Sequence, residues 1–424
     1  MRLSVALISF CLLAVMVPAQ STPIPSSGSK SVVVPITLDH NRVIIDVYLP
    51  LPDGSTKRIR GWVDTGDPEL RMSERAAKLM GLTIACEAGS CFAHAPREVL
   101  IGDMKISLAA VEEAKIPQSP DTDGSLMDPG MSAEIKIPST ILRKYDVLIN
   151  FPDRELSLGQ PGTMKFKGVT SNMLVDPDTG LIQIPGKLEN KNCMLLLDVG
   201  TPVSFLSGEL FSGLATAHPD WPHMTGAVGP ANMWGGTDET KWQLMRIERL
   251  QFGPLYLTDV PVIAWPEPWK RLFELHEKLS PAGMIGSGAL INYRIGLDYK
   301  HSTAYFDLGS TFKFPDYDVV GLIVRPDPDS HYMIVGVADL NGEPSVPSGG
   351  EGVEPGDQLV AVDGIPVADS TMGQVWSLLE GSPGQQRQLK LQRDGKQITV
   401  MAKVQHFLAE PEENHSKQPA AKKK

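Results

Sequence analysis

Trp62-Val63-Asp64-Thr65-Gly66 and Leu195-Leu196-Leu197-Asp198-Val199-Gly200-Thr201 are the two runs on which the fold turns. Each is an apolar strand ending in Asp-x-Gly, with a hydroxyl or carboxyl residue close behind. Glycine at that point lets the backbone turn tightly beneath the acid. One such Asp carries little meaning. Two of them, each opening an equivalent half of the chain, imply a pair of carboxyls brought face to face. Like charges that close cannot both ionise cheaply, so the pair shares one proton and can activate a water. Asp64 and Asp198 are therefore the candidate catalytic residues.

The halves are related elsewhere too. Leu142-Arg143-Lys144-Tyr145-Asp146-Val147-Leu148-Ile149-Asn150-Phe151 matches Leu290-Ile291-Asn292-Tyr293-Arg294-Ile295-Gly296-Leu297-Asp298-Tyr299 in its Leu, Tyr, β-branched, aliphatic, Asn/Asp and aromatic positions. The second copy follows the first by 148 residues, whereas Asp198 follows Asp64 by 134, so the second half holds about fourteen extra residues. Leu100-Ile101-Gly102 and Leu250-Gln251-Phe252-Gly253 are further paired landmarks. This order of motifs reads as an internal repeat. The texture is mostly β. A short helix is expected after Ser73 as its cap, with Gly81 as its stop, a weaker counterpart over 207–211, and another helix over 268–279. Trp221, Trp234, Trp242, Trp265 and Trp269 cluster in the second half and read as core or lobe-interface packing.

At this point the chain resembles the aspartic peptidases of the pepsin and retropepsin families. The resemblance rests on Asp64-Thr65-Gly66, on Asp198-Val199-Gly200-Thr201-Pro202 and on Met284-Ile285-Gly286, the hydrophobic-hydrophobic-Gly element, and covers roughly residues 32–312. It implies a mainly β, bilobal pepsin/retropepsin-like pair of β-barrels with one catalytic Asp per lobe and a peptide cleft between them. Carried over by position, Asp64 and Asp198 form the dyad. Thr65, with Gly66 and Gly200, supports it, and Thr201 hydrogen-bonds the carboxylate of its own lobe. The chain departs from the pattern at three places. Val199 stands where the family has Ser or Thr, which removes half of the hydroxyl interlock between lobes. Asp67 adds a third carboxylate, which would raise the dyad's pKa values. The first half has no clean hydrophobic-hydrophobic-Gly, its nearest stretch being 126–130. Two readings follow: an endopeptidase, or a degenerate relative that holds peptides without cutting them. The cleft-closing flap falls in the region of 92–106 without a definite assignment.

From Val319 the texture changes. An apolar strand with an early glycine is followed by Gly352-Val353-Glu354-Pro355-Gly356-Asp357-Gln358-Leu359-Val360-Ala361-Val362-Asp363-Gly364, a helical stretch over 372–379 and a hairpin turning at Asp394-Gly395. This resembles a PDZ domain, a small α+β module that takes an extended or C-terminal peptide by strand addition. The resemblance implies that Val320, Gly321, Leu322 and Ile323 form the loop that holds the peptide carboxylate.

The chain has 424 residues, 42% hydrophobic and 21% charged, with 39 Gly and 35 Pro. That length calls for two or three domains, and the Gly and Pro content favours short strands and turns. A net charge of −11 argues against a nucleic-acid partner. Arg2, the apolar run 3–17 and Val17-Pro18-Ala19 read as a secretory signal, too short for a comfortable membrane span. The expected partition is signal 1–19, linker 20–31, lobes 32–160 and 161–312, PDZ module 317–405 and a disordered tail 406–424. The expected protein is exported, periplasmic or extracellular, or else held at the membrane by an uncleaved signal. Cys86 and Cys91 are spaced to allow a small disulfide loop in an oxidising compartment. Neither His-Glu-x-x-His nor Gly-x-Ser-x-Gly occurs, so no metal, cofactor or serine nucleophile is expected. The partners expected are a polypeptide substrate or a C-terminal peptide ligand. Two lobes in one chain need no second copy, so a monomer is expected.

Overall fold

The computed structural model describes residues 30–87, 89–117, 130–233, 238–311, 317–327, 329–340 and 342–409. The expected signal, most of the 20–31 linker, residues 126–129, Trp234, the connection 312–316 and the chain beyond 409 lie outside the described residues. The fold is mainly β: two related lobes, a sheet shared between them and a C-terminal module.

In the first lobe the strand Arg42–Pro50 lies between Thr56–Val63 and Glu98–Ile101, with Met104–Ser107 outside the latter and Ile135–Ile137 outside the former. Val43, Ile44, Ile45, Val47 and Leu49 are all buried. That run of branched side chains suits a strand covered on both faces. The second lobe builds the same pattern with eight strands. Its Ile182–Leu188 strand pairs both with Lys191–Asp198 and with Gln243–Phe252, which closes the sheet into a barrel. The parallel partner of the Asp198 strand is Gly283–Gly286, and that of the Asp64 strand is Ile135–Ile137.

Those partners correct one sequence expectation. The first-lobe counterpart of Met284-Ile285-Gly286 is Lys136-Ile137-Pro138, 148 residues earlier, and not the stretch 126–130. A charged residue in the middle and a proline at the end hide the apolar pattern. A second difference concerns helices. Ser73 caps Glu74–Leu79, and Ser207, 134 residues later, caps Gly208–Ala217. The second helix has ten residues to the first's six, so the counterpart expected to be weaker is the longer.

The repeat is visible as an axis. Asp146–Asn150 pairs antiparallel with Tyr293–Asp298, with Leu148 opposite Gly296, Val147 opposite Leu297 and Ile149 opposite Ile295. Leu148 and Gly296 are 148 residues apart, the repeat's own spacing, so equivalent residues face each other across a local two-fold. These strands form the middle of a six-stranded sheet drawn from both lobes.

The C-terminal module has a sheet ordered Leu322–Pro326, Tyr332–Val337, Gln358–Val362, Gln386–Arg393, Lys396–Lys403, and a helix, Met372–Leu379, closed by a Thr371–Gln374 capping box. Asp394 and Gly395 make the hairpin turn with positive φ, as the Asp-Gly pair requires. The module is not a loosely tethered bead. Tyr317, Ile323, Ala338, Phe407 and Leu408 share one buried apolar cluster with Phe205, Trp242 and Trp265 of the second lobe. The packed chain thus runs on through Leu408, past the boundary expected at 405. From the first lobe, Asp39 Oδ1 accepts hydrogen bonds from Gly373 N (2.8 Å) and Thr371 Oγ1 (2.9 Å), and His40 meets Trp376 edge-on.

Candidate active site

Asp64 and Asp198 stand at the ends of equivalent strands. Asp64 N donates to Ile137 O (3.1 Å). Gly66 N donates to Asp64 Oδ1 (2.9 Å), while Asp198 Oδ1 accepts from Gly200 N (2.8 Å) and Thr201 N (3.1 Å). Thr201 thus reaches its own lobe's carboxylate through its backbone N–H. Its hydroxyl donates instead to Val203 O (2.8 Å).

The glycines report how the lobes meet. A Cβ on Gly66 would lie 2.2 Å from Cγ of Asp198, and one on Gly200 would lie 2.3 Å from Oδ1 of Asp64. Each glycine is therefore the floor under the opposite lobe's carboxyl. That crossed arrangement brings the two acids together at the axis. Any side chain at position 66 or 200 would displace the partner acid. Thr65 ties the lobes across the same axis. Its Oγ1 donates to Leu197 O (2.8 Å) and accepts from Val199 N (3.0 Å). Val199 has no hydroxyl to return the pair of bonds, so the interlock is one-sided.

Both acids are buried, Asp64 to 3% and Asp198 to 7% exposure. Burial raises Asp64 to about 6; the Lys136 charge pulls it down and the Asp67 charge pushes it up. Burial, reinforced by the negative charge of Asp64, lifts Asp198 well above the usual carboxylate range. The pair titrates as a unit, and Asp64 ionises first, which leaves Asp198 the favoured carrier of the shared proton.

Lys136 is the residue that sequence reading missed. Its side chain is fully buried, its ammonium lies 2.5 Å from Asp67 Oδ2, and it sits 5.6 Å from the centre of the Trp62 ring. Arg71 adds a second cation, 3.5 Å from the same oxygen. Burial would raise Asp67, but Lys136 and Arg71 outweigh it and hold the carboxyl below its usual range. Asp67 therefore does not act on the dyad as a lone third carboxylate, because a lysine answers it. The available signal was a lysine between two isoleucines in a strand that otherwise reads as core. Glu277, at the end of helix Glu267–Glu277 of the second lobe, feels the same group of charges. Burial, with Asp67 and Glu69, pushes it up to about 7.

Cys86 and Cys91 are bonded to each other and face one another across the hairpin Ile84–Glu87/Ser90–His94. This hairpin forms a small three-stranded sheet with Glu113–Ile116. Cys193 is a half-buried free thiol. Trp242 and Trp265 pack in the apolar cluster shared with the module.

In the module, the backbone groups of the 320–323 loop are partly committed. Val320 N donates to Leu379 O (2.9 Å), Leu322 N to Val320 O (2.7 Å), and Gly321 O accepts from Ala338 N (2.9 Å). Gly321 is required by space, since a Cβ there would lie 2.0 Å from Ser345 Oγ. Ile323 is buried against the second lobe.

A family model described as PDZ domain matches residues 319–404. No curated protein matches the sequence. Among solved structures, an aspartic proteinase from Irpex lacteus is 11% identical with a TM-score of 0.37, over 66% of this chain and 99% of that one. Among the described residues no helix is long and apolar enough to cross a membrane.

Proposed function

We propose that the chain is an exported aspartic-type endopeptidase, acting as a monomer, with a PDZ module for polypeptide. The observation that carries the reading is the crossed packing of two buried carboxyls, each lying over the other lobe's glycine. In the cycle, ionised Asp64 takes a proton from a water held between the acids. The water oxygen bonds to the substrate carbonyl carbon, and Asp198 gives its proton to the carbonyl oxygen. The resulting diol collapses as the proton held by Asp64 passes to the leaving nitrogen, a diol hydroxyl returns its proton to Asp198, and the C–N bond breaks to give the acid and the amine. Thr65 and the backbone N–H groups of Gly66, Gly200 and Thr201 orient the acids. The Cys86–Cys91 disulfide supports an oxidising, exported location. PDZ domains bind peptides, which supports a peptide partner for the module.

The test is cleavage of unfolded casein between pH 3 and 7 by the mature protein and by Asp64→Asn and Asp198→Asn variants. Each substitution is expected to lower the rate by ~10²–10⁴-fold. Cleavage that survives both overturns the assignment of this dyad. The missing hydroxyl at Val199 favours a second reading, a peptide-holding relative that does not cut. That reading requires an intact protein with no cleavage at any pH, and activity that emerges in Val199→Thr would show a drifted site.

A further inference from the structure

In a PDZ module a guest peptide adds as a strand to the sheet edge beside the helix. Here that edge is Leu322–Pro326, the terminal strand of the module's sheet, and the helix is Met372–Leu379. The edge is already paired. Asn232, from the second lobe, donates from Nδ2 to Leu322 O (3.0 Å) and accepts at Oδ1 from Val324 N (2.9 Å). One carboxamide thus makes both of the bonds that one residue of a parallel added strand would make. Asn232 is only 2% exposed, so this contact is enclosed.

The next residue fills the apolar part of the groove. Met233 is 1% exposed and belongs to the module's own core cluster with Leu322, Val324, Met372, Val375 and Leu379. It takes φ +61, a left-handed value uncommon outside glycine, and its N–H donates to Asn232 Oδ1 (2.9 Å). That tight local turn presents the amide and the thioether side chain together. The two ends of the groove are closed as well. Met372 N donates to Gly130 O of the first lobe (3.0 Å), and Val320 N is taken by Leu379 O at the end where a peptide carboxylate would sit.

We propose that Asn232 and Met233 are an internal ligand of the module's peptide groove. The protein at rest binds its own second lobe there. An outside peptide enters only by displacing this segment, and it must offer an extended stretch with a backbone or side-chain amide followed by an unbranched apolar side chain. The groove therefore reads an internal segment and not a free C-terminus. Because tethering keeps the internal ligand at a high effective concentration, a free peptide competes poorly until the segment is released. The proposal stands independently of whether the acidic pair cuts.

The probe is a fluorescein-labelled synthetic peptide of residues 226–240, titrated up to 1 mM of the chain's full-length protein by fluorescence anisotropy. Wild type is compared with Asn232→Ala/Met233→Ala, and amide exchange at Val324 is followed by mass spectrometry alongside Ile334, whose N–H is bonded within the module. The variant is expected to bind the peptide at least tenfold more tightly than wild type. Its Val324 should exchange at least tenfold faster, with Ile334 unchanged, and peptide should restore the protection. Should the double change unfold the module, the isosteric Asn232→Asp, which replaces the donor to Leu322 O with a negatively charged acceptor, is read in the same way. Equal peptide affinity in wild type and variant overturns the proposal. So does the absence of binding to a variant whose Ile334 protection is intact, and so does Val324 exchange that does not change.

Discussion

The two lobes place their acids with the same backbone and surround them with different chemistry. In the first lobe, positions 67 and 136 carry Asp and Lys, an ion pair beside Asp64. At the equivalent positions of the second lobe stand Thr201 and Met284, uncharged, beside Asp198. The geometry is symmetric while the field is not. Asp64 feels a nearby lysine that favours its ionised form, and Asp198 has burial and its neighbour's charge to keep it protonated. On the proposed reading, this asymmetry is what divides the roles of base and acid between two equivalently placed carboxyls.

The comparison is broken most severely by copying the second lobe into the first. Lys136→Met, which installs the residue found at 284, strips Asp67 of its buried partner. A loss of roughly 3 kcal/mol, the low end for a broken buried ion pair because Arg71 stays beside the partly exposed Asp67, is expected and is read by denaturant unfolding. In whatever folds, the acid limb of the pH–rate profile should move above 6, because Lys136 holds Asp64 down. Unchanged stability and an unmoved limb would mean that Asp67 and Lys136 are incidental to the site.

The next effect is on stability against pH. Asp64 releases its proton near 3.8 in the unfolded chain and near 6 in the folded one, so the folded state binds more protons between those values. Stability should therefore fall as pH rises from about 4 to 6, by on the order of 3 kcal/mol, and level off above that as far as Asp64 is concerned. Asp64→Asn should abolish this component of the fall. The comparison between wild type and variant by urea unfolding at pH 4, 5, 6 and 7 checks the sign, and a parallel pair of curves would contradict it.

The smallest expected change sharpens the symmetry. Val199→Thr supplies the hydroxyl that the second lobe lacks. One more buried hydrogen bond across the axis should contribute about 1 kcal/mol, seen as a rise of about 1 °C in Tm. A loss of stability would show that the opposing backbone is not placed to receive it.

Much of this was legible in the chain because the repeat leaves marks in residue types. The 148-residue spacing of the Tyr145 and Tyr293 segments is the register of the central sheet, and the 134-residue spacing brings Gly66 under Asp198 and Gly200 under Asp64. The module was legible from turn residues, since Asp394-Gly395 and Pro355-Gly356-Asp357 admit few backbone paths. What escaped depends on tertiary pairing. Lys136 looks like an interruption in a strand until Asp67 is seen beside it. Asn232 and Met233 sit in a polar, glycine-rich connection with no periodicity, and their role exists only because a separate module folds against them. The extra residues of the second half hold the same lesson. Gly253 follows Gly102 by 151 residues, so the insertion falls before that turn, on the side of the chain that contains the segment in the groove.

The central claim is that two acids remote in sequence compete for one proton. Carbon-13 NMR titration of Asp carboxyls, assigned with Asp64→Asn and Asp198→Asn variants, tests it most directly. The account requires one carboxyl titrating near 6 and the other well above the ordinary range, and Asp198 should fall when Asp64 is replaced, since that removes a neighbouring negative charge. Two independent titrations near 4, each indifferent to substitution of the other, would contradict it.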